Sequence, residues 1–530
     1  MRDPNPDRTD AGARGAAWPA PVHYNVAQDV CDKHPRRETA LLWCHPGGDR
    51  RVTWGELQDD ANRMARELNA RGVRGGDRVA VLAPPSPSTA AAFLAILKAG
   101  AVVLPLPGGL AEEQVAFRLD DAEVALVVAD AEWRDRVPRG FETLTPGVDE
   151  YDHHSPAPVT KVVGADEPAF ILYTSGTTSD PKGVVFAHRT MLADSEFDYC
   201  ADLRRGELTY WVGEWGWTLK KVFGPWRRGA VNVAYSYPGR LDVEEMLAVL
   251  SRHHVTNVFL NATLIKMMAR EGDLGRMYPQ SFRVVTTSNE PLGIEAFRWF
   301  EEQFGTPPLE FYGLTESYPM VGNSPRVTVR PGSMGRRVPG WDVAILDEEE
   351  RPVAPGEEGE ICLRARSNPH WPLGYWRKRA ETERDFGGTW FHTKDLAHVD
   401  DTGYFWFHAR RDDVIKASGY RIGPAEVERI LVQHPSVREA AVVGVPDPVR
   451  GTAVKAFVSV NEGVDATAEL ERELRDLVKR AHSSFAAPRA VEFVPDFPRS
   501  ATGKIRRSAL RASSEEPRTD VGDAAPAERA

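Results

Sequence analysis

The segment that decides the fold reads Tyr173-Thr-Ser-Gly-Thr-Thr-Ser-Asp-Pro-Lys-Gly183. It lies between two apolar, strand-like runs, Ala169-Phe-Ile-Leu172 and Val184-Val-Phe186. Glycines allow backbone N–H groups to converge on an anion, hydroxyl groups add donors, and Lys182 adds positive charge. Ordinary surface turns seldom combine so many donors with a lysine, so the pattern predicts a loop that holds a polyphosphate. The segment is not a Walker A motif, which ends in Gly-Lys followed by Ser or Thr.

Three further segments accompany this loop: Phe311-Tyr-Gly-Leu-Thr-Glu316, Asp412-Asp-Val-Ile-Lys-Ala-Ser-Gly-Tyr-Arg-Ile-Gly-Pro-Ala-Glu-Val427 and Pro498-Arg-Ser-Ala-Thr-Gly-Lys-Ile-Arg506. Their order and spacing resemble the adenylate-forming (AMP-binding) superfamily of acyl-CoA synthetases, peptide-synthetase adenylation domains and luciferases. The resemblance runs from about Tyr24 to about Arg511. The block from Gly419 to Glu428 and the block Val445-Pro-Asp-Pro-Val-Arg-Gly451 are nearest to medium-chain and benzoate-type acyl-CoA synthetases.

The hydrophobic pattern predicts an α/β protein with more than one domain. Helical and strand-like segments alternate between residues 54 and 129 and again up to about 330, which is typical of parallel sheets covered by helices. Residues 331–409 favour a β-rich subdomain, and the remainder favours a short α+β pattern. We therefore expect a flexible N-terminus at 1–20, a large domain at 21–411, a small domain at 412–511 and a disordered tail at 512–530. The resemblance implies that the large domain binds ATP and the acyl substrate and that the small domain is mobile.

Composition limits the classes of function. The 530 residues carry 66 basic and 77 acidic side chains, a net charge of −11 that argues against a general nucleic-acid surface. The four cysteines form no Cys-x-x-Cys pair and are interpreted as reduced thiols, and the histidine pairs 153–154 and 253–254 as surface groups. No apolar run is long enough to span a bilayer, and the first residues lack the apolar core of a signal peptide. These features predict a cytoplasmic protein with no nucleic-acid or membrane partner. We expect a monomer or homodimer.

The resemblance implies a two-step reaction. A carboxylate attacks the α-phosphorus of MgATP to give acyl-AMP and pyrophosphate, and the acyl group then passes to CoA. The implied partners are thus a small carboxylic acid, ATP, Mg²⁺ and CoA. The first step requires charge neutralisation around the phosphates and an in-line geometry, which suits a loop rich in donors.

The resemblance also assigns roles to residues at matching positions. Thr315 would contact the α-phosphate, Glu316 would help to hold Mg²⁺, and Tyr312 would stack on adenine beside Asn289-Glu290-Pro291. Asp395 and Arg410 would hold the ribose. The β- and γ-phosphates would be held by Thr174, Ser175, Gly176, Thr177, Thr178 and Lys182. The chain departs from the family at three positions where glycine is usual, namely Ser179, Asn289 and Lys394.

The C-terminal motifs carry the residues that would change between the two steps. In the family, the lysine at the position of Lys504 bridges the carboxylate and the α-phosphate during adenylation. Asp412 matches the hinge about which the small domain rotates, and Gly419, Tyr420 and Arg421 match the face that then shapes the pantetheine tunnel. A lysine on a flexible stem suits an anionic transition state.

Two positions bear on the acid. Acetyl-specific relatives carry tryptophan at the register of Gly313, so the glycine predicts an open pocket floor and a medium-chain or aromatic acid; it also permits a turn. Trp217 is a candidate pocket wall or a core residue. The favoured function is an acyl-CoA synthetase. A stand-alone adenylating enzyme with an amine, a carrier-protein thiol or another small nucleophile as acceptor is the alternative, and a non-catalytic nucleotide-binding protein comes third.

Overall fold

The computed structural model describes residues 21–147, 151–174, 181–193, 196–217, 219–236, 241–364, 368–411, 413–417, 420–447, 451–483, 486–499 and 505–515. Its contacts divide the chain into two compact units. The first comprises Met1–Gly176, Asp180–Thr393 and Ala397–Phe407, and the second comprises Thr177–Ser179, Lys394–Leu396 and His408–Ala530.

The helices and strands of the described residues alternate through most of the chain. The α-helices are α1 (Trp54–Ala70), α2 (Pro87–Lys98), α3 (Glu112–Asp121), α4 (Lys220–Arg228), α5 (Val243–Arg252), α6 (Ala262–Met268), α7 (Leu274–Met277), α8 (Ile294–Phe304), α9 (Arg379–Phe386), α10 (Pro424–Leu431), α11 (Ala468–Ala481) and α12 (Arg507–Glu515). The strands are β1 (Thr39–His45), β2 (Gly48–Thr53), β3 (Arg78–Leu82), β4 (Val102–Pro105), β5 (Val124–Ala129), β6 (Thr143–Leu144), β7 (Pro168–Tyr173), β8 (Gly183–Ala187), β9 (Leu208–Trp211), β10 (Val231–Tyr235), β11 (Asn257–Phe259), β12 (Val284–Thr287), β13 (Pro308–Leu314), β14 (Ser317–Gly322), β15 (Arg336–Arg337), β16 (Asp342–Leu346), β17 (Gly359–Arg364), β18 (Gly374–Tyr375), β19 (Phe391–Val399), β20 (Phe405–Arg410), β21 (Ile415–Ala417), β22 (Tyr420–Ile422), β23 (Val437–Asp447), β24 (Gly451–Val460) and β25 (Ala490–Phe493).

The first sheet of unit 1 has seven strands in the order β18-β8-β7-β4-β3-β5-β6. Strands β4 and β5 run parallel to β3, and β7 runs parallel to β4, whereas β8 is antiparallel to β7 and pairs on its other side with the edge strand β18. Helix α1 begins where the pattern predicts, because Thr53 and Glu56 form a reciprocal capping box. Helix α2 is fully buried along its apolar residues, including Phe93. This part of the core therefore forms by burial of helices against parallel strands.

The second sheet of unit 1 has nine strands in the order β15-β14-β13-β12-β11-β9-β10-β1-β2. Strands β9, β11, β12 and β13 are mutually parallel neighbours, so their carboxyl ends meet at one edge. The hairpin β13–β14 continues that edge with an antiparallel turn. Ligands of open α/β sheets bind at such an edge, which is why the residues that follow these strands matter for function.

A smaller, β-rich part follows, with four strands in the order β16-β17-β19-β20. The second unit contains the hairpin β21–β22 and the sheet β23-β24-β25, in which β23 and β24 are antiparallel and β24 and β25 are parallel. Its core includes Val427 of α10 and Leu474 of α11. Arg507 of α12 forms an ion pair with Glu428 at 2.7 Å. The predicted α/β class, with parallel sheets, β-rich parts and an α+β C-terminal region, is confirmed.

Two expectations drawn from composition can be compared with the structure. No helix within the described part of the chain combines the length and apolar character that crossing a bilayer requires. Cys31, Cys44, Cys200 and Cys362 are free thiols, and all of them are buried.

Candidate active site

The neck of the predicted phosphate loop is closed by hydrogen bonds between its two ends. The backbone N–H of Thr174 donates to the carbonyl of Lys182 at 2.9 Å, and the N–H of Lys182 donates to Thr174 Oγ1 at 3.3 Å. Strands β7 and β8 continue this pairing outward, with Tyr173 opposite Gly183. The loop thus begins and ends at a fixed point of the seven-stranded sheet. The predicted phosphate ligands Ser175, Gly176, Thr177 and Thr178, and the departure at Ser179, lie outside the described residues.

Lys182, at this neck, is linked to the candidate residue Glu316 by the side chain of Tyr375. Its Nζ lies 4.5 Å from the ring centroid of Tyr375 and 3.3 Å from Asp385 Oδ2. The hydroxyl of Tyr375 donates to Glu316 Oε1 at 2.9 Å. The structure therefore brings together Lys182 and Glu316, which are far apart in sequence, through Tyr375.

The electrostatics of this group suit a cation. Burial raises the pKa of the Glu316 carboxyl, whereas the hydrogen bond from Tyr375 and the charge of Lys182 lower it. Burial also acts to raise the pKa of Asp385, but the hydrogen bond from Arg384 and the charge of Lys182 bring it below its usual value. A buried carboxylate gains from a nearby dication, and Mg²⁺ prefers carboxylate oxygen ligands. Glu316 therefore fits the predicted role of a Mg²⁺ ligand.

Thr315 and Glu316 form the turn between β13 and β14, at the ligand-binding edge of the nine-stranded sheet. Tyr312, opposite Val321 in this hairpin, is partly buried. A Cβ atom at Gly313 would lie 2.6 Å from Cδ2 of Tyr318 and 2.8 Å from the carbonyl of Ser317. The expectation of open space beside Gly313 is therefore wrong, because the Tyr318 side chain occupies it. The glycine permits this close approach.

The predicted adenine segment Asn289-Glu290-Pro291 follows β12 at the same edge. Glu290 Oε1 accepts hydrogen bonds from Thr263 Oγ1 at 3.0 Å and from Lys266 Nζ at 3.1 Å. The N–H of Leu292 donates to Glu310 Oε2 at 2.9 Å, which ties the end of the segment to β13. Asn289 has a φ of +86°, a conformation that glycine adopts readily and that asparagine tolerates better than most residues.

Asp395 and Arg410 lie together in the second unit. Asp395 is 4% exposed, and its Oδ1 lies 3.7 Å from Arg410 Nε. The preceding Lys394 has a φ of +65°, and its carbonyl accepts the N–H of Arg411 at 2.6 Å. The structure thus pairs the two predicted ribose ligands, and Lys394 keeps a left-handed backbone where the family usually has glycine.

The remaining C-terminal predictions fall mostly on positions that the structure leaves undescribed. Lys504, Asp412 and Gly419 lie outside the described residues. Tyr420 and Arg421 belong to β22 and stand opposite Ala417 and Lys416 of β21.

An aromatic wall lies at the carboxyl ends of the nine-stranded sheet. The rings of Trp211 and Phe259 stack with centroids 5.1 Å apart, Phe311 lies 6.0 Å from Phe259, and Tyr318 meets Phe311 edge-on at 5.2 Å. We call these four residues the aromatic wall. The Tyr318 hydroxyl is hydrogen-bonded to Ser288 Oγ at 3.0 Å.

Lys221 of α4 stands over the aromatic wall. Its Nζ lies 3.6 Å from the ring centroid of Phe259. Desolvation lowers the pKa of Lys221 to about 8, although the charge of Glu196 raises it.

The candidate pocket residue Trp217 lies in the 3₁₀ turn before α4. The preceding residue, Gly216, packs on Leu106: a Cβ added to Gly216 would lie 2.5 Å from the backbone carbonyl carbon of Leu106.

Four residues of this region were missed by sequence reasoning: Tyr375, Asp385, Tyr318 and Lys221. Tyr375 is placed by the pairing of Gly374-Tyr375 with β8, which no local pattern reveals. The sequence carried one signal for Lys221, namely two adjacent lysines, 220 and 221, before an apolar run up to Trp226. Lysines within such apolar surroundings are rare and point to a special role.

Comparisons with known proteins cover nearly the whole chain. A family model described as "AMP-binding enzyme" matches residues 27–376, and one described as "AMP-binding enzyme C-terminal domain" matches residues 426–504. The acetyl-coenzyme A synthetase of Bacillus subtilis (strain 168) is 32% identical, covering 92% of this chain and 90% of that protein. The mitochondrial acyl-coenzyme A synthetase ACSM3 of Mus musculus is 30% identical, with coverage of 93% and 90%.

Solved structures agree with these matches. The anthranilate CoA ligase AuaEII in complex with anthranoyl-AMP has a TM-score of 0.84 at 26% identity, covering 94% of this chain and 99% of that one. The benzoate CoA ligase of Burkholderia xenovorans LB400 has a TM-score of 0.81 at 28% identity, with coverage of 92% and 100%. The amide bond synthetase McbA of Marinactinospora thermotolerans has a TM-score of 0.80 at 25% identity, with coverage of 92% and 99%.

Proposed function

This chain belongs to the family of AMP-binding enzymes, and we propose that the acid it activates is a medium-chain or aromatic carboxylic acid. The chain is an ATP-dependent acid–thiol ligase of the acyl-CoA synthetase type, which uses ATP, Mg²⁺ and CoA and forms acyl-CoA through acyl-AMP. What remains to be assigned is the acid and the role of each residue.

The aromatic wall is the observation that carries the choice of acid. Phe311 and Tyr318 lie in β13 and β14, the strands joined by the Thr315-Glu316 turn, and Trp211 and Phe259 end neighbouring strands at the same edge of the sheet. Trp211, Phe259 and Phe311 are buried in the core, so the half-buried Tyr318 is the ring that an acid would meet first. A ring or a medium-length alkyl chain gains about 25 cal/mol per Å² of apolar area buried on such a wall, whereas acetate has little area to bury. An aromatic acid also gains from edge-to-face contacts with these rings.

Lys221 supports a further property of the acid. Its ammonium group stands over Phe259, where its desolvation costs free energy that the charge of Glu196 only partly offsets. A hydrogen-bond acceptor on the acid, such as a ring hydroxyl or a second carboxylate, would recover part of that cost. We therefore rank acceptor-bearing acids above their unsubstituted counterparts.

The chain's own residues would divide the first half-reaction as follows. Lys182 would neutralise charge on the transferred phosphates, and Thr315 would donate to the α-phosphate. Glu316 would hold Mg²⁺, which when bound neutralises phosphate charge, and Tyr375 would orient the Glu316 carboxylate through its hydroxyl. Asp395 would accept the ribose hydroxyls beside Arg410, and Lys504 would bridge the carboxylate and the α-phosphate.

For the second half-reaction we propose that the C-terminal region, from a hinge at Asp412 through about Arg511, turns to present the face of Gly419, Tyr420 and Arg421 to CoA. Hinge motion of this kind would let one site serve two steps. The cytoplasmic location and the monomeric or homodimeric state stay predictions.

A panel of acids tests the proposed substrate. Purified protein is incubated with MgATP, CoA and either acetate, hexanoate, benzoate or a hydroxybenzoate, and thioesters are detected by mass. We expect kcat/KM for hexanoate or benzoate to exceed that for acetate, and a hydroxybenzoate to exceed benzoate. A preference for acetate over all of the others would contradict the role of the aromatic wall.

The acceptor is tested in the same assay. CoA is replaced by a primary amine or omitted, and the products are compared. Thioester formation that depends on CoA supports the proposal, while acyl-AMP formation with efficient amide production and no thioester would favour the alternative, a stand-alone adenylating enzyme with an amine acceptor.

A further inference from the structure

Three potential metal ligands meet where β17 and β19 lie in the four-stranded sheet of the first unit. Glu360 and Cys362 are two residues apart on β17, so their side chains point to the same face of the strand. His392 of β19 faces both of them. Its Nδ1 lies 3.3 Å from Glu360 Oε2 and 3.4 Å from Cys362 Sγ. All three donor atoms lie within 4.8 Å of one another.

These separations match the edges of a small coordination polyhedron. Zinc–ligand bonds of about 2.0–2.3 Å in tetrahedral geometry place neighbouring donor atoms about 3.3–3.7 Å apart. The separations of His392 Nδ1 from Glu360 Oε2 and from Cys362 Sγ, 3.3 Å and 3.4 Å, fall within this range. A protonated Nδ1 can donate its proton to only one of the two neighbours. A single cation, in contrast, can accept lone pairs from Nδ1, Oε2 and Sγ together.

The opposite nitrogen of the same ring has a carboxylate neighbour. Glu350 Oε1 lies 3.4 Å from His392 Nε2. In metal sites of proteins, a ligating histidine usually donates its other N–H to a carboxylate, which fixes the tautomer and the ring orientation. When a cation binds on the Nδ1 side, the proton of the neutral ring would lie on Nε2, toward Glu350.

The burial of the three side chains gives the group a closed inner part and one side that is open to solvent. Cys362 is fully buried and Glu360 is 5% exposed, while the His392 side chain is 39% exposed. Three protein ligands of mixed type with access to solvent leave room for one water ligand. A thiolate, an imidazole and a carboxylate together favour Zn²⁺ over the oxygen-preferring Mg²⁺ or Ca²⁺.

Among the described residues, two other groups of this kind have an arginine at the acidic ligand. Cys44, Asp49 and His253 also lie close together, but the Arg252 guanidinium is 2.8 Å from the Asp49 carboxylate. In the third group, which contains His153 and His154, Glu67 is paired with the guanidinium of Arg71. A guanidinium on the acidic ligand competes with a cation. His153 and His254 are exposed and His154 and His253 are half-buried, in agreement with their interpretation as surface groups, although three of them have potential ligands nearby.

We propose that Glu360, Cys362 and His392 form a binding site for Zn²⁺ or a similar divalent transition metal, with Glu350 as the residue that orients His392. On binding, the Cys362 thiol would lose its proton to solvent, and the carboxylate and neutral imidazole would add their lone pairs. The site is separate from the Mg²⁺ ligand proposed at Glu316 and would join β17 to β19, the strand that continues to Asp395. The proposal does not depend on the identity of the acid.

Co²⁺ is a suitable probe because its spectrum reports both thiolate ligation and geometry. The full-length protein is reduced, stripped with a chelator and titrated with Co²⁺. We expect one equivalent to produce a thiolate-to-cobalt charge-transfer band and intense visible bands of four-coordinate cobalt, both lost on addition of one equivalent of Zn²⁺. Absence of a charge-transfer band in the wild-type protein would overturn the proposal.

Variants locate the site. Cys362→Ser should remove the charge-transfer band, whereas Cys44→Ser, in the competing group, should retain it. Because Cys362 is fully buried, the more exposed His392→Gln provides a second variant, which should weaken Co²⁺ affinity strongly while the protein keeps its fold. Glu350→Gln should keep the band and weaken affinity by about 10- to 100-fold, the range typical of residues that orient ligands. A band that survives in Cys362→Ser, or unchanged affinity in His392→Gln, would refute the assignment.

Discussion

The hydroxyl of Tyr375 offers the most direct test of the site geometry. Tyr375→Phe removes the donor that lies 2.9 Å from Glu316 Oε1. The ring remains, so its contacts with Lys182 at 4.5 Å and with Phe386 at 5.2 Å are kept. Hydrogen bonds to charged groups contribute about 1.5–3 kcal/mol, and this carboxylate is already poorly solvated. If Glu316 must be oriented to hold Mg²⁺, adenylation should lose about 10- to 150-fold in kcat/KM.

Pyrophosphate exchange with ATP, measured over a range of Mg²⁺ concentrations, isolates this effect. Tyr375→Phe should shift half-saturation to higher Mg²⁺, whereas a merely structural defect would lower the rate equally at all concentrations. Tyr24→Phe is a matched control, since the Tyr24 hydroxyl also donates to a carboxylate, that of Asp29, at 2.6 Å. It should leave the Mg²⁺ dependence unchanged. Wild-type exchange by Tyr375→Phe at every Mg²⁺ concentration would refute the reasoning.

Four further outcomes are expected. Lys504→Ala should raise the free-energy barrier of adenylation by about 3–4 kcal/mol, yet spare thioester formation from pre-made acyl-AMP; equal loss in both half-reactions would exclude its assigned role. Gly419→Leu should spare pyrophosphate exchange and reduce thioester output, and full CoA turnover would argue against a tunnel there. Gly313→Trp should lower kcat/KM for every acid, because even a Cβ would lie 2.6 Å from Tyr318; a clean shift of preference toward acetate would restore the open-floor interpretation. Burial raises the pKa of Glu310 from 4.5 to about 7. The folded chain then holds this proton more tightly, so the contribution of Glu310 to stability is fully present below pH 4.5 and falls by about 3 kcal/mol as the pH rises to 7. Glu310→Gln should flatten the decline in Tm across this window and raise Tm at pH 8, and parallel Tm profiles for the two proteins would contradict the assignment.

The motifs predicted residue types and their local setting well. The strand–loop–strand pattern around the phosphate loop places Thr174 and Lys182 at its neck, because both the apolar flanks and the polar loop are local in sequence. The hairpin turn at Thr315 and Glu316 follows from the same logic. Periodicity and short-range chemistry thus suffice for features that a dozen residues determine.

The neighbours of those residues could not be predicted in the same way. Tyr375 reaches Glu316 because a two-residue strand pairs with β8, and strand pairing over such a separation leaves no local trace. Tyr318 fills the space beside Gly313 because the hairpin brings position 318 next to position 313. The interpretation of Gly313 alone therefore predicted open space where the Tyr318 side chain lies. A motif states which side chain is present, whereas the surrounding volume depends on how distant segments pack.

The left-handed backbone at Asn289 and Lys394 has a consequence for how the family's glycines are understood. Both residues have positive φ, and both side chains are exposed, so each position accommodates a full side chain in solvent. Glycine can be required at a position because a ligand or a neighbouring chain leaves no room for a Cβ, or because the dihedral angles penalise one. In this chain the fold accommodates both side chains and bears the dihedral penalty at each position. Replacing Asn289 or Lys394 by glycine should therefore relieve a conformational cost of about 1 kcal/mol without altering the path of the chain.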